Sequence, residues 1–315
     1  MDNPLRHCVH ILLASYQGGP YLRAQLDSIA AQTHTHWSLT ISDDGSTDDT
    51  VEICQRFAQE NPSKHIRILK GPCQRSTANF FHLMQVVSLD EREGLYAFCD
   101  QDDVWLPEKL ERAVRALDSL EITATQPALY CARWQQTTVD LVPLGLSPMP
   151  RKPLGFGNAL LQNVASGNTM VFNKALLHLL VRIRPSHAVW HDWAAYLTVT
   201  GCGGRLWFDP EPCLLYRQHP GNLVGAQDRS LDKLHRLKLI AQGRYREWGD
   251  RTEEAMDDIA PSLSEQAREQ LHTFRCMRRE SSVWRRVRAG WHSGLWRQTT
   301  AGQMTLFLAL ACKRI

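Results

Sequence analysis

Short apolar runs alternate with amphipathic stretches through the first half of this chain. His7 to Ser15 is largely apolar and predicts a strand, followed by a loop at Tyr16-Gln17-Gly18-Gly19-Pro20. Tyr21 to Gln32 places Leu22, Leu26, Ile29 and Ala30 on one helical face. Trp37 to Ile41 predicts a second strand. Thr47 to Glu60 predicts a second helix, with Val51, Cys54 and Ala58 on its inner side and Ser46 or Thr47 as N-cap. Ile66 to Leu69, Phe80 to Ser88, Leu95 to Cys99 and Pro107 to Leu120 continue as strand, helix, strand and helix. This order predicts an α/β fold around a Rossmann-like, mainly parallel central sheet flanked by helices. In such sheets, ligands bind outside the carboxyl ends of the strands.

The second half is less regular. Ala128 to Ala132, Thr169 to Phe172, Leu206 to Phe208 and Cys213 to Tyr216 predict strands, and Gly155 to Asn163, Ala175 to Ile183 and Trp193 to Thr200 predict helices. Thr137 to Pro153 carries four prolines and reads as a loop over the site. From Leu231 the pattern is helical and charged to the end. A boundary near 224–230 gives a catalytic domain at 1–225, with halves at 1–125 and 126–225, and a basic helical extension at 226–315.

Composition narrows the class. The chain has 315 residues, 43% hydrophobic and 22% charged, and a net charge of +3 that gives no global argument for nucleic acid. Nine cysteines, an odd number without CxxC spacing, favour a reducing cytoplasm over a disulfide framework or a zinc site. No signal peptide is read at the start, and no apolar run approaches the roughly 20 residues that span a bilayer.

Two acidic turns carry the candidate chemistry. Asp100-Gln101-Asp102-Asp103-Val104-Trp105 follows the apolar run Leu95 to Cys99, and its three clustered carboxylates repel one another. A divalent cation, Mg²⁺ or Mn²⁺, is the usual countercharge and also coordinates substrate phosphates. A solvated turn capping the next helix is the other reading. Ser42-Asp43-Asp44-Gly45-Ser46-Thr47-Asp48 likewise follows a strand and opens a helix. With Tyr16, both turns fall at strand carboxyl ends and converge on one sheet edge.

Ala14-Ser15-Tyr16-Gln17-Gly18, Leu26-Asp27-Ser28-Ile29 with Gln32-Thr33, and the Asp43–Asp44 turn resemble the opening of family 2 glycosyltransferases of GT-A fold. Asp100 to Trp105 resembles their DxD element. Ser166 to Asn173, His191-Asp192-Trp193 and Tyr216-Arg217-Gln218-His219-Pro220-Gly221-Asn222 extend the likeness to the bacterial rhamnosyltransferase-like branch, which builds lipopolysaccharide O-antigen and related polysaccharides. Gln17 stands where this family often has Asn, and Asn168 where it often has Cys.

The resemblance implies site residues. Asp102 would bind the metal, with His219 completing its shell or holding the diphosphate. Asp100 and Gln101 would lie toward the nucleotide. Asp43 or Asp44 would accept the pyrimidine imide N–H, with Ser15 and Tyr16 lining the pocket. Arg75 and Asn79 belong to a turn near the diphosphate, and Arg217 can hold a phosphate directly. Asp192 is the candidate base that deprotonates the acceptor hydroxyl; an N-cap is its alternative. Trp105, Trp190, His191 and Trp193 are assigned to the acceptor side. The three tryptophans are available as an apolar wall for a 6-deoxy sugar, while His191 either orients the acceptor or packs.

These residues imply a metal-dependent inverting transferase, with L-rhamnose from dTDP-L-rhamnose as the favoured donor and a saccharide or lipid-linked oligosaccharide as acceptor. A UDP-hexose transferase and a non-catalytic nucleotide-sugar scaffold are the alternatives. In the tail, Arg275, Arg278, Arg279, Arg285, Arg286, Arg288 and Arg297 face one acid, Glu280, and Val283, Trp284, Val287, Trp291 and Leu295 can share a helix face. This suits either peripheral attachment to the cytoplasmic face of the inner membrane or a helix packing on the catalytic domain or a second subunit. A homo-oligomer is therefore left open.

Overall fold

The computed structural model describes residues 7–90, 93–219, 239–240 and 242–315. Pro220-Gly221-Asn222, the boundary at 224–230 and the helix onset at Leu231 lie outside the described residues. The strands are β1 (Val9–Ser15), β2 (Trp37–Asp43), β3 (Ile66–Lys70), β4 (Leu95–Asp100), β5 (Val104–Trp105), β6 (Ala128–Thr137), β7 (Pro143–Leu146), β8 (Val171–Asn173) and β9 (Arg205–Arg217). They form one sheet in the order β3-β2-β1-β4-β8-β6-β9-β5, with β7 on β6. The first four strands in that order are parallel; β8 runs antiparallel to both of its neighbours, and β6 and β9 are again parallel.

Helices cover both faces of β1, β2 and β4, so these strands read as near-continuous apolar runs. Between strands lie α1 (Gly19–Ala30), α2 (Thr50–Glu60), α3 (Arg75–Ser88), α4 (Lys109–Asp118), α5 (Phe156–Ala159), α6 (Lys174–Leu180) and α7 (His191–Gly201). The register sets the site: Ser15 pairs opposite Asp43, and Ala14 opposite Asp100.

Several local expectations change. The 137–153 segment is not a loop throughout: β7 folds back on β6, pairing Gln135 with Leu146 and Thr137 with Pro143. Leu144 and Leu146 are exposed there, so no buried alternation marked the strand. The two late strands are one, β9, whose prolines are absorbed by register shifts opposite Ala132 and Arg133. Helix α2 starts at Thr50 rather than Thr47, because the Ser46 hydroxyl bonds the Asp43 carboxylate at 2.5 Å and accepts the Gln17 N–H at 2.8 Å.

The core has two layers. Leu22, Leu26, Phe57, Trp105 and Leu110 fill one side of the sheet. Phe80, Phe98, Phe172 and Trp193 fill the other, together with Met256, Phe274, Met277, Leu306 and Leu310. The last five come from α8 (Arg244–Asp258), α9 (Glu265–Arg279) and α11 (Thr300–Ala311), with α10 (Val283–His292) between them. The C-terminal helices thus share the catalytic core. Many of their arginines point inward or pair with acids: Arg278 with Asp250 at 2.6 Å and with Glu253, Arg275 with Asp257 at 2.6 Å, and Arg286 with the Glu280 carbonyl at 2.6 Å. Val287 and Leu295 also turn inward while Trp284 and Trp291 stay exposed, so those residues do not share one face.

Because Phe274 lies in this shared core, Phe274→Ala should cost about 3–5 kcal/mol. Urea unfolding followed by near- and far-UV circular dichroism should shift as one transition. A separate transition that alone responds would mark the tail as an independent unit.

Candidate active site

The carboxyl ends of β1, β2 and β4 hold the acidic turns, and most of the polar groups there brace the loops. Asp43 accepts from the Ser15 hydroxyl at 3.1 Å and from the Gly45 and Ser46 N–H groups at 3.2 and 2.9 Å. Asp44 accepts the N–H groups of Cys73 and Arg75 at 2.7 and 2.8 Å, which ties the loop before α3 to β2. Asn79 is buried and donates to the Ser42 carbonyl at 2.8 Å, whereas the Arg75 side chain is exposed. Gln101 pairs with the main chain of Tyr16 in both directions, at 2.8 and 2.9 Å. A Cβ at Gly18 would lie 2.4 Å from the Gln101 oxygen, so only glycine allows this approach. The Tyr16 ring, 56% exposed, is left at the mouth, available to stack on a base.

The DxD carboxylates divide by environment. Asp100 and Asp102 are partly exposed, while Asp103 is fully buried. Asp102 lies 2.7 Å from His219 Nε2, bringing the two residues assigned to the metal together. Arg217 is buried behind them: its Nε donates to the Asp102 carbonyl at 3.1 Å, it also donates to the Val139 carbonyl, and its guanidinium lies 5.0 Å over the Tyr21 ring. These two donors brace main chain. Tyr21, whose ring also lies 4.7 Å from His219, was not foreseen.

Beneath the site is a buried network that sequence reasoning missed. Asp103 accepts from the Asn168 amide at 2.6 Å, and Lys109 donates to the Asn168 carbonyl. The Lys109 ammonium lies 3.7 Å over the Trp105 ring. Burial pushes Asp103 well above the usual carboxylate range and Lys109 below the usual amine range. Trp105, 2% exposed, therefore belongs to the core rather than to an acceptor surface. A lysine at the start of a helix gives no sequence signal of such burial.

Asp192 sits in the first turn of α7, two residues after the extended N-cap Trp190, so it is not itself the cap. Its carboxylate accepts the N–H groups of Trp193 at 2.7 Å and Gly167 at 3.2 Å, yet the residue stays partly exposed. Burial pushes its pKa up to about 6, against those hydrogen bonds. Asp100 is pushed up to about 7 by burial and by the charges of Asp102 and Asp192. His191 is a core residue, stacked 3.8 Å from Phe80 and edge-on to Phe98; burial pushes its pKa down to about 3, leaving a neutral ring. Trp190 and Trp193 lie on the sheet face opposite Trp105, so the wall of three is not built. Instead Trp248 of α8 joins them, with centroids 5.3 and 6.0 Å away.

The pattern of Glycosyl transferase family 2 matches residues 10–178. The dTDP-rhamnosyl transferase RfbG of Shigella flexneri is 30% identical over 244 residues, 74% of this chain and 81% of that one. A UDP-Glc:alpha-D-GlcNAc-diphosphoundecaprenol beta-1,3-glucosyltransferase, WfgD of Escherichia coli, is 29% identical over 109 residues, 34% of this chain and 40% of that one. Among solved structures, S. aureus TarS 1-349 with UDP superposes with TM-score 0.55 at 13% identity, covering 90% of this chain and 78% of that chain. The mannosyltransferase PcManGT from Pyrobaculum calidifontis, with GDP-Man and Mn²⁺, gives 0.54 at 15%, covering 100% and 89%. The sheet, the acidic strand ends and these likenesses define a GT-A glycosyltransferase. The chain belongs to glycosyltransferase family 2, whose members are inverting enzymes.

A base must be ionised to accept a proton, so with Asp192 near 6 the rate should fall as pH drops through about 6. Asp192→Asn should lower turnover roughly 10²–10⁴-fold and remove that limb, while donor affinity measured by calorimetry stays unchanged. Loss of donor affinity with the pH limb intact would exclude Asp192 as the base.

Proposed function

We propose that this enzyme transfers L-rhamnose from dTDP-L-rhamnose to a saccharide or lipid-linked oligosaccharide, with a divalent metal, in cell-surface polysaccharide synthesis at the cytoplasmic face of a membrane. The observation that supports the reading is the Asp102–His219 pair at the end of β4, with Asp192 held at the start of α7 by the Gly167 N–H. The similarity to RfbG supports the donor. Intact Asp100, Asp102 and Asp192 speak against a non-catalytic scaffold.

Asp192 takes the proton from an acceptor hydroxyl as its oxygen attacks the anomeric carbon. The sugar–phosphate bond breaks on the opposite face, the electron pair leaves with the diphosphate, and the anomeric configuration inverts. Tyr16 would stack on the base. Asp43, already holding its own turn, would accept the thymine imide through a remaining lone pair, and the exposed Arg75 would approach the diphosphate.

Among the described residues no group of three His, Cys, Asp or Glu side chains is arranged to hold a metal. Asp102 and His219 nevertheless supply an oxygen and a nitrogen donor within 2.7 Å, and the raised pKa of Asp100 marks a site short of positive charge. These residues fit Mn²⁺ or Mg²⁺ with phosphate oxygens as further ligands. A bound cation there would stabilise the negative charge that develops on the diphosphate.

Asp102→Ala should abolish transfer and weaken metal-dependent donor binding, as titrated by thermal shift with Mn²⁺; full metal-dependent activity would exclude the DxD assignment. Similarity to WfgD favours the second reading, a UDP-hexose donor. Because Trp105 is withdrawn from the site, donor preference should be modest. In kcat/KM, dTDP-L-rhamnose should exceed UDP-glucose, UDP-galactose and UDP-N-acetylglucosamine by no more than roughly 10²-fold, the usual limit for an apolar pocket facing an added hydroxyl. Equal use of a UDP-hexose would reject the donor and leave the transferase standing.

A further inference from the structure

The outer faces of α10 and α11 are apolar and uncovered. Trp284 is 85% exposed, Trp291 71%, Met304 62%, and Val283 and Leu308 are above 40%. They form one surface across two helices. At Gly290 a Cβ would lie 2.4 Å from Leu310, so glycine lets the helices touch, and Trp291 stacks on Phe307 at 5.5 Å. Arg286 joins them from within, donating to the Leu310 and Ala311 carbonyls. This contact sets the end of α11, with Lys313 and Arg314, beside the start of α10.

Charge identifies the occupant. From 281 to 315 the chain contains no Asp or Glu, whereas Arg285, Arg288, Lys313 and Arg314 are all exposed. Glu280, just before this stretch, is turned onto the Ser282 N–H at 3.0 Å. An acid-free basic rim around exposed tryptophans would repel a second copy of itself but complements anionic headgroups, with the indole rings at the headgroup level. Among the described residues no helix is long and apolar enough to cross a membrane. We infer that Trp284, Trp291, Met304 and Leu308, rimmed by Arg285 and Arg288, dock this enzyme flat on an anionic lipid bilayer. This deepens, and rests on, the membrane address proposed above, and it replaces a single amphipathic helix with a rigid two-helix face.

The test uses the full chain and sedimentation with vesicles of phosphatidylcholine alone or with equal parts phosphatidylglycerol. The wild type should bind the anionic vesicles at least about tenfold more tightly, with a blue shift of tryptophan fluorescence. Trp284→Ser with Trp291→Ser, and separately Arg285→Glu with Arg288→Glu, should each lower that affinity at least about tenfold. Both variants should keep the wild-type melting temperature and transfer to a water-soluble acceptor. Absence of wild-type binding, equal binding to neutral vesicles, or variants that bind like wild type would overturn the inference. So would a solution dimer that the tryptophan variant dissociates without any vesicle binding. Transfer to the soluble acceptor is independent of all these outcomes, so its loss in the wild type would instead count against the transferase reading.

Discussion

Four carboxylates, Asp100, Asp102, Asp103 and Asp192, are gathered where β4 ends, at the edge of a densely packed core. Burial and neighbouring carboxylates push Asp100 and Asp103 up, and burial pushes Asp192 up. The surrounding structure answers this repulsion with donors: Asn168 to Asp103, with Lys109 bonded to the same Asn168; His219 at Asp102; and the main-chain N–H groups of Gly167 and Trp193 to Asp192. Asp103, fully buried, accepts from the Asn168 amide on one oxygen, while its other oxygen has no hydrogen-bond partner among the described residues. The other three remain partly exposed and short of positive charge. On the proposed reading, this leaves room for a cation, a diphosphate and a proton acceptor side by side.

This electrostatic arrangement needs loops that do not relax away from it. Gln101 grips Tyr16, Asp43 closes its own turn, Asp44 fastens the loop before α3, and Arg217 straps the main chain of Asp102. Much of the polar chemistry visible in the motifs is therefore spent on backbone. A preorganised site gains because little reorganisation is left for the moment of reaction. The same geometry explains why Gly18 and Gly167 stand where they do: a Cβ at either would meet Gln101 or His191 under 3 Å away.

The C-terminal helices complete rather than follow the catalytic unit. Trp248 extends the aromatic cluster of Trp190 and Trp193, and Phe274, Met277 and Leu310 share the core that holds His191 between Phe80 and Phe98. Packing there sets the orientation of α7, and with it the position of Asp192. The arginines facing α8 neutralise its acids, while the outer faces of α10 and α11 keep their tryptophans and basic rim for solvent or for a surface.

Apart from the short β5, the order of strands and helices through Leu120 was legible in the chain, because parallel strands buried on both faces must be apolar and the helices between them must be amphipathic. The acidic turns were legible too, as carboxylate clusters directly after apolar runs, although a capping turn was an equal reading of them. The pairing of Asp102 with His219, 117 positions apart, was suggested only by resemblance and needed the sheet to bring the two together. Burial was what sequence could not assign. Trp105 and His191 carry chemistry suited to a site, yet packing sent both into the core. Lys109 carried no sequence signal of burial, yet it is fully buried. The basic tail looked like one stripe, but its residues parted between core and surface. Local pattern reports which residues could face water; only the packing of distant elements decides which of them do.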